Sequence, residues 1–225
     1  MQFVAPLNRV TSRVPARPGL MLITDRHRSG PELLTMLDSV LDEGIDILQI
    51  REKDLAHTDL IEFGRDIVSL VNGRAAVVIN SDLAAASLLG TGIHLPERRA
   101  ALEPSDYERL APGALVGRSI HGSPFLDTER LDYLLFGHVF DTQSKPGLSP
   151  RGLEHLAHVV SASRIPVWAV GGILADNAAS TIRAGAAGVA VIGAILDAPE
   201  PGQEVRRLRA AMKSAIEESN LRQGT

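Results

Sequence analysis

The chain has 225 residues, of which 44% are hydrophobic, a formal net charge of −4 and no cysteine. This length is compatible with a single α/β barrel that buries a sizeable core. The weakly acidic balance gives no reason to expect nucleic acid or an anionic membrane as a partner, and no apolar run is long enough to span a bilayer. The lack of cysteine excludes a disulfide framework, a thiolate nucleophile and a cysteine metal site, and it fits a cytoplasmic protein.

The first residues differ in composition from the rest. Residues 1–18 carry Arg9, Arg13 and Arg17, contain no acidic residue and lack the apolar segment of a secretory signal. We therefore predict a flexible N-terminal tail over 1–18. Residues 19–225 contain no linker or low-complexity tract, and we predict that they form one domain.

Short apolar runs alternate with segments of helical periodicity eight times along the chain. The predicted strands are Gly19–Thr24, Ile45–Ile50, Ala75–Ile79, Gly92–Leu95, Ala114–Ile120, Leu131–Phe136, Ile165–Val170 and Gly188–Ile192. The predicted helices are Pro31–Glu43, Thr58–Val71 with Thr58 as its cap, Leu83–Leu89, Pro104–Leu110, a segment within Pro124–Arg130, Gly152–Ala162, Asp176–Ala184 and Glu204–Glu217. Strands that are apolar on both faces are typical of a parallel sheet covered by helices.

This alternation predicts a single (β/α)8 TIM barrel. A doubly wound open sheet is the main alternative, and it is disfavoured because no Gly-x-Gly-x-x-Gly pattern follows the first strand. In a barrel, the residues that follow each strand meet at the C-terminal rim, where barrel enzymes carry their active sites. Candidate functional residues are therefore sought at the strand ends.

The second predicted strand and the residues after it present two cations and an amide on one face. Gln49, Arg51 and Lys53 alternate along an extended segment, so their side chains point the same way. Such a set suits an anionic ligand. The alternative is a solvated loop balanced by Glu52 and Asp54.

Glycine-containing turns follow the seventh and eighth strands, at Gly171-Gly172 and Ile192-Gly193. Such turns let backbone N–H groups approach phosphate oxygens, and barrels often bind phosphate at these two strands. The alternative is that Gly171-Gly172 is only a tight turn. The loop after the sixth strand adds side-chain donors at Thr142, Ser144 and Lys145.

The fifth strand ends at Ser119 and His121, and an imidazole at the rim can transfer protons near neutral pH. His121 is thus a candidate acid–base group. His138 lies nearer the barrel wall, and we expect it to make a hydrogen bond. The other histidines are assigned no catalytic role: His27, His57, His94, His155 and His158.

The third and fourth strands end in a poor donor set for Mg²⁺, which prefers carboxylates. The third strand delivers Asn80 and Ser81, with Asp82 one place late. After the fourth strand, Glu97 is followed directly by Arg98 and Arg99. No metal site is predicted.

Together these motifs resemble the thiamine-phosphate synthase and thiazole tautomerase superfamily. The matching segments are LITD (Leu22–Asp25), QIREK (Gln49–Lys53), VIN (Val78–Asn80), GIHL (Gly92–Leu95), GRSIH (Gly117–His121), GHVFDTQSK (Gly137–Lys145), AVGGI (Ala169–Ile173) and GVAVIGAI (Gly188–Ile195). The resemblance favours the tautomerase branch, because Ser81 and the region of Arg99 stand where the synthase branch has its two metal-binding aspartates. His138 also replaces the proline of the synthase's Gly-Pro-Val-Phe.

The resemblance implies isomerisation of a non-aromatic carboxythiazole phosphate to its aromatic form, with His121 as acid–base and no metal or redox cofactor. It implies that the phosphate is held by Thr142, Ser144, Gly172, Ile192 and Gly193. It implies that the carboxylate faces Arg51, with Gln49 or Lys53. Asn80, Ser119, Lys145 and Gly171 complete the predicted substrate-binding set.

Two departures from the superfamily pattern and two alternatives accompany this interpretation. Asp141 stands where the synthase branch usually has proline, and Gly193 stands where serine is common. One alternative is a working synthase that recruits Glu97 or Asp82 for Mg²⁺, and the other is a non-catalytic thiazole-phosphate binder. The resemblance is compatible with a homodimer, and the sequence does not fix the oligomeric state.

Overall fold

The strands close into one parallel barrel. The structure, a computed structural model, describes residues 18–122, 128–145 and 147–223. The strands are β1 (Gly19–Ile23), β2 (Ile47–Ile50), β3 (Ala76–Asn80), β4 (Gly92–Leu95), β5 (Val116–Ile120), β6 (Tyr133–Gly137), β7 (Val167–Val170) and β8 (Gly188–Val191). Each pairs in parallel with the next, and β8 pairs with β1. The predicted (β/α)8 barrel is confirmed.

Helices follow the strands around the outside of the barrel. They are α1 (Arg26–Ser29), α2 (Leu33–Leu41), α3 (His57–Val71), α4 (Leu83–Leu89), α5 (Pro104–Glu108), α6 (Gly152–Ala162), α7 (Ala175–Arg183), α8 (Gly193–Leu196) and α9 (Pro201–Gln223). A 3-10 turn, Gly30–Glu32, joins α1 to α2. The bounds of α4, α6 and β4 are those predicted, whereas α1 and α8 were not predicted because each spans only four residues.

Other predicted bounds need correction. Thr58 does not cap α3, which begins at His57, and the Thr58 hydroxyl bonds the adjacent Asp59 instead. Ile45 precedes β2, and its burial rather than strand pairing explains its apolar character. The predicted helix within Pro124–Arg130 lies partly outside the described residues, and 128–130 are not helical. The predicted tail also lies outside them except for Pro18, so it stays a prediction.

The strands are mostly apolar on both faces because each face has a different core to fill, and His94 of β4 and Arg118 of β5 are buried polar exceptions. In β1, Leu20 and Leu22 join the core between strands and helices, and Met21 and Ile23 join the core inside the barrel. This period-two division follows from the strand geometry, which sends successive side chains to opposite faces. The sequence signature of a buried parallel strand thus reflects two separate cores.

The barrel interior is packed with large side chains. Trp168 and Tyr133 are both fully buried there, with ring centroids 6.1 Å apart. Any Cβ at position 117 would overlap the Tyr133 ring, so only Gly117 allows the ring to lie flat against β5. The barrel interior is therefore filled by side chains, and the cavity lies at the C-terminal ends of the strands.

The last helix covers the outside of the barrel. Val205, Leu208, Met212 and Ala215 of α9 are buried at helical spacing, and α9 packs against α7 and α2. Among the described residues, no helix has both the length and the apolar composition needed to cross a membrane.

Candidate active site

One cavity of about 1000 Å³ opens at the C-terminal rim. The structure brings together in its lining all the residues that the sequence nominated, whereas their chemical roles stay predictions. These residues are Gln49, Arg51, Lys53, Asn80, Ser119, His121, Thr142, Ser144, Lys145, Gly171, Gly172, Ile192 and Gly193.

His121 lies between an acid and a base. Its Nδ1 is 2.8 Å from Glu97 Oε2, and its backbone N–H donates to Glu97 Oε1 at 2.6 Å. Its Nε2 is 2.8 Å from the Nζ of Lys145. A carboxylate only accepts hydrogen bonds and an ammonium only donates them, so this arrangement requires the neutral imidazole with its proton on Nδ1. Nε2 then carries a lone pair, as a general base requires.

The two partners of His121 have shifted proton affinities. Burial raises the pKa of Glu97, but the hydrogen bonds from the backbone and ring of His121 outweigh it, and the net pKa is lowered. The pKa of Lys145 is lowered by burial first and by Arg151 second, against an opposing contribution from Glu97. Lys145 therefore releases its proton more readily than an exposed lysine does.

Arg51 places a partly desolvated guanidinium in the cavity. Burial lowers its pKa, although Asp25 and Glu52 raise it. Among the described residues, no ion pair engages this guanidinium. Glu52 is buried and accepts from the Thr24 hydroxyl and the Arg26 amide.

The alternative of a solvated, internally balanced loop after β2 stays open in part, because Lys53 and Asp54 are exposed and the charge of Glu52 raises the pKa of Arg51. Asp54, its other acidic member, pairs with Arg26 and His27 on the outer side. Among the described residues neither acid of this segment forms an ion pair with Arg51, and Glu52 acts on the guanidinium only through its nearby charge. The cation remains available to an anionic ligand.

The floor of the cavity is a row of linked amides. Gln49 Nε2 donates to Asn80 Oδ1 at 3.2 Å, and Asn80 Nδ2 donates to Ser81 Oγ at 3.0 Å. The Oε1 of Gln49 is buried and has no hydrogen-bond partner among the described residues. A buried acceptor without a partner is costly, so this oxygen suits a donor on a ligand.

The turn after β7 meets the loop after β6. Gly172 has φ +65°, and a Cβ there would overlap the carbonyl oxygen of Asp141. The Asn177 side chain donates to the Gly172 carbonyl at 2.9 Å, and the Ser144 backbone N–H donates to the Thr142 hydroxyl at 3.3 Å. The turn is tight, as the alternative interpretation held, and it also lies against the donor-rich loop that the phosphate interpretation needs.

His138 and Gly193 complete this side of the cavity. His138 is buried, and its Nε2 donates to the Leu148 carbonyl at 3.0 Å, so the expected hydrogen bond is confirmed. Beside Gly193 lies an ion pair between Arg28 and Asp197. Sequence reasoning did not nominate either member, because they are 169 positions apart in the chain.

Among the described residues, the rim at β3 and β4 carries no open pair of carboxylates. The Arg99 guanidinium donates to the Ser81 carbonyl. Asp82 accepts from the Ala85 backbone as the cap of α4 and lies 2.6 Å from His57 Nδ1. Within the part of the chain that the structure describes, no group of three or more His, Cys, Asp or Glu could hold a metal ion.

Besides Arg28 and Asp197, sequence reasoning missed two further residues of this site, Glu97 and His94. Glu97 was considered only as a metal ligand, although its position just after β4 was a signal that it would reach the rim. His94 was assigned no catalytic role, yet it lines the cavity and its Nε2 lies 2.8 Å from the Ser119 hydroxyl. The inward direction of its side chain follows from the alternation of β4, with Ile93 and Leu95 in the outer core.

Comparison with known proteins places the chain in a family. A family model described as thiamine monophosphate synthase matches residues 20–195. A thiamine-phosphate synthase of Roseiflexus is 34% identical over 215 residues, covering 91% of this chain and 89% of the relative. One of Chlamydia caviae is 34% identical over 197 residues, covering 84% of this chain and 92% of the relative.

Solved structures give the same result. Thiamine phosphate pyrophosphorylase from Pyrococcus furiosus superposes with a TM-score of 0.77 at 28% identity, covering 91% of this chain and 98% of that one. The 3-hexulose-6-phosphate synthase of Salmonella typhimurium superposes with a TM-score of 0.63 at 18% identity, covering 88% of this chain and 99% of that one. The second likeness shows the fold alone.

Proposed function

The chain belongs to the family of thiamine monophosphate synthase, and within that family we propose, from the residues at the rim of its cavity, that it is a thiazole tautomerase of thiamine biosynthesis. It would isomerise the non-aromatic carboxythiazole phosphate to the aromatic carboxythiazole phosphate. The observation that carries this proposal is the hydrogen-bond set of His121 at the cavity, in which Glu97 bonds Nδ1 and Lys145 Nζ lies 2.8 Å from Nε2.

The cavity offers separate places for the two anionic groups of this substrate. Its phosphate would lie against the β6 loop and the turns after β7 and β8. The carboxylate would face Arg51, with Gln49 and Lys53 beside it. The phosphate-binding groups would be the hydroxyls of Thr142 and Ser144 and the backbone of Gly172, Ile192 and Gly193.

The reaction then needs only one proton to move. Nε2 of His121 takes the proton from ring C2, and the electrons of that C–H bond form the C2=N3 double bond. The π pair of N3=C4 shifts into C4=C5, and the π pair of the exocyclic C5=C bond forms the new C–H bond with the proton that the imidazolium returns to the exocyclic carbon. The product is aromatic and His121 is neutral again. Arg51 and Lys145 would offset the negative charge that spreads over the ring as C2 loses its proton.

The names of the relatives support a second candidate more directly, namely a thiamine-phosphate synthase. That reaction joins a pyrimidine diphosphate to thiazole phosphate with Mg²⁺. The donor set of this chain does not fit the ion, because Ser81 and Arg99 replace the carboxylates and both recruited alternatives, Asp82 and Glu97, already bond histidines.

One pair of assays tests the two candidates. The purified chain is given the non-aromatic carboxythiazole phosphate in deuterated water with a chelator, and NMR follows loss of the C2 proton and labelling of the exocyclic carbon. It is then given pyrimidine diphosphate and thiazole phosphate with and without Mg²⁺, and pyrophosphate is measured. We expect isomerisation in the first assay and no pyrophosphate in the second.

The His121→Gln variant supplies the control. We expect turnover to fall by about 100-fold or more, since a positioned acid–base group contributes roughly 10²–10⁴-fold, while product affinity stays within a few-fold. Pyrophosphate release that requires Mg²⁺ would establish the synthase instead. Tight product binding with neither reaction would identify a non-catalytic binder.

A further inference from the structure

We propose that Glu97 is a positioning residue that fixes the tautomer and direction of His121. We propose also that the segment 96–100, which carries Glu97, is held in place by Arg99 and Arg118. The functional part of this inference rests on the proposed proton transfer by His121, whereas the geometric part does not.

The Glu97 carboxylate forms two hydrogen bonds with His121. One carboxylate oxygen accepts from the backbone N–H and the other lies 2.8 Å from Nδ1, so the ring can neither rotate nor flip without breaking a hydrogen bond. Both bonds are charge-assisted, which makes them stronger than bonds between neutral groups. The consequence is that Nε2 is left unprotonated and directed at Lys145 and the cavity.

The segment that carries Glu97 is anchored to the strands on both sides. The buried Arg118 of β5 donates to the carbonyls of Glu97, Arg99 and Ala100 at 3.3, 2.8 and 3.2 Å. Arg99 reaches in the other direction to the Ser81 carbonyl after β3. Arg118 lies on the same strand that ends next to His121, so one strand places both the base and the loop that orients it.

These contacts give a structural role to Ser81 and Arg99, the two residues that differ from the metal-binding aspartates of the synthase branch. Arg99 and Ser81 stand where carboxylates would face an open cavity, and here they tie two neighbouring loops together. In the described part of the chain, the hydrogen bonds that Arg99 and Arg118 donate here are accepted by backbone carbonyls and do not involve the Glu97 side chain. Substitution of Glu97 therefore tests orientation rather than folding.

Glutamine at position 97 should reverse the tautomer. An amide that keeps its oxygen on the backbone N–H of His121 turns its NH₂ toward Nδ1, and that donor favours an unprotonated Nδ1. The imidazole proton then moves to Nε2, and Lys145, whose Nζ lies 2.8 Å from Nε2 and whose pKa is lowered, turns away or accepts a hydrogen bond from this proton as a neutral amine. Nε2 can then no longer accept a proton from the substrate. We expect kcat to fall about 10- to 100-fold, part of the contribution of the acid–base group, with KM within a few-fold.

The test combines ¹⁵N NMR of His121 with kinetics, both on the full chain at a pH where the ring is neutral. In the unmodified protein we expect Nδ1 protonated and Nε2 bare, and in Glu97→Gln we expect the Nε2–H form to dominate. Glu97→Asp, which keeps the charge but is one methylene shorter, should restore part of the Nδ1–H population and of kcat. Asp54→Asn is the matched control, since it removes a rim carboxylate that pairs with His27 rather than His121.

Each outcome is informative. An Nε2–H tautomer in the unmodified protein, or an unchanged spectrum in Glu97→Gln, overturns the inference whatever the reaction is. A changed tautomer with unchanged kcat overturns the positioning role. If the tautomer responds as expected but the unmodified protein does not isomerise the thiazole, then the proposed function fails and the geometric inference stands.

Discussion

The hydroxyl of Tyr133 lies 3.0 Å from Nδ1 of His94, beneath the floor of the cavity. On the other side of the ring, Nε2 meets the Ser119 hydroxyl. The rings of His94 and Tyr133 are both buried. A neutral imidazole can donate a hydrogen bond to one of the two hydroxyls and accept one from the other. Burial, with the nearby charges of Arg51 and Arg118, lowers the pKa of His94 to about 3. The residue is thus a neutral structural link between the barrel interior and the cavity.

His94 should make the protein less stable as the pH falls. Its unfolded-state pKa is about 6.5, so between roughly pH 6.5 and 3 the unfolded chain binds a proton that the folded chain does not. Stability is full above the unfolded pKa and falls by about 1.4 kcal/mol per pH unit below it. Urea unfolding at pH 7 and pH 5 measures this. The loss between the two should be about 2 kcal/mol smaller in His94→Gln, and an equal loss in both proteins would contradict the assignment.

Gly117→Ala should destabilise the barrel. A Cβ there overlaps the Tyr133 ring, which is fully buried and packs against Trp168 and His94. We expect a loss of about 3 kcal/mol in unfolding free energy, at the upper end for overpacking a core. Gly122→Ala is the control, since nothing lies within 4 Å of its added Cβ. Comparable losses for both variants in denaturant unfolding would show that the packing is not the cause.

Arg51→Met should weaken binding of carboxylated ligands specifically. A hydrogen bond to a charged group contributes about 1.5–3 kcal/mol, which corresponds to roughly 10- to 150-fold in Kd. Calorimetry with carboxythiazole phosphate and with thiazole phosphate lacking the carboxylate separates the loss of carboxylate binding from a general loss of ligand binding. The second Kd should change by only a few-fold. Arg26→Met removes a rim arginine that already pairs with Asp54, so it should change neither. If Arg51→Met weakened binding of both ligands equally, the assignment of the carboxylate to Arg51 would be wrong.

Gly172→Ala should impair phosphate binding more than its backbone strain explains. Gly172 and Gly73 both have positive φ, but only at Gly172 does an added Cβ meet other atoms, those of Phe140 and Asp141. Gly73→Ala therefore reports the conformational cost alone, about 1–2 kcal/mol in stability. We expect Gly172→Ala to raise the Kd for thiazole phosphate by about 10-fold or more as the loop shifts. Equal Kd values in both variants would place the phosphate elsewhere.

Local pattern predicted the strand-end residues well. Gln49, Arg51 and Lys53 reach one cavity because a strand alternates its side chains and a parallel barrel gathers its strand ends at one rim. The bounds of α4 are as predicted because Asp82 and Gly90 mark its two ends. The same capping rule predicted wrongly that Thr58 caps α3, because a residue whose side chain can cap a helix does not always occupy the N-cap position.

The sequence by itself determined the barrel and the set of residues at its rim, because the strand period and the alternation of elements are local properties. Only the tertiary structure decided which of those residues act on one another. The grip of Glu97 on His121 spans 24 positions and two strands, and the contact of Arg118 with the intervening loop depends on how that loop folds back. Such pairings follow from close packing of distant segments, which no local periodicity encodes.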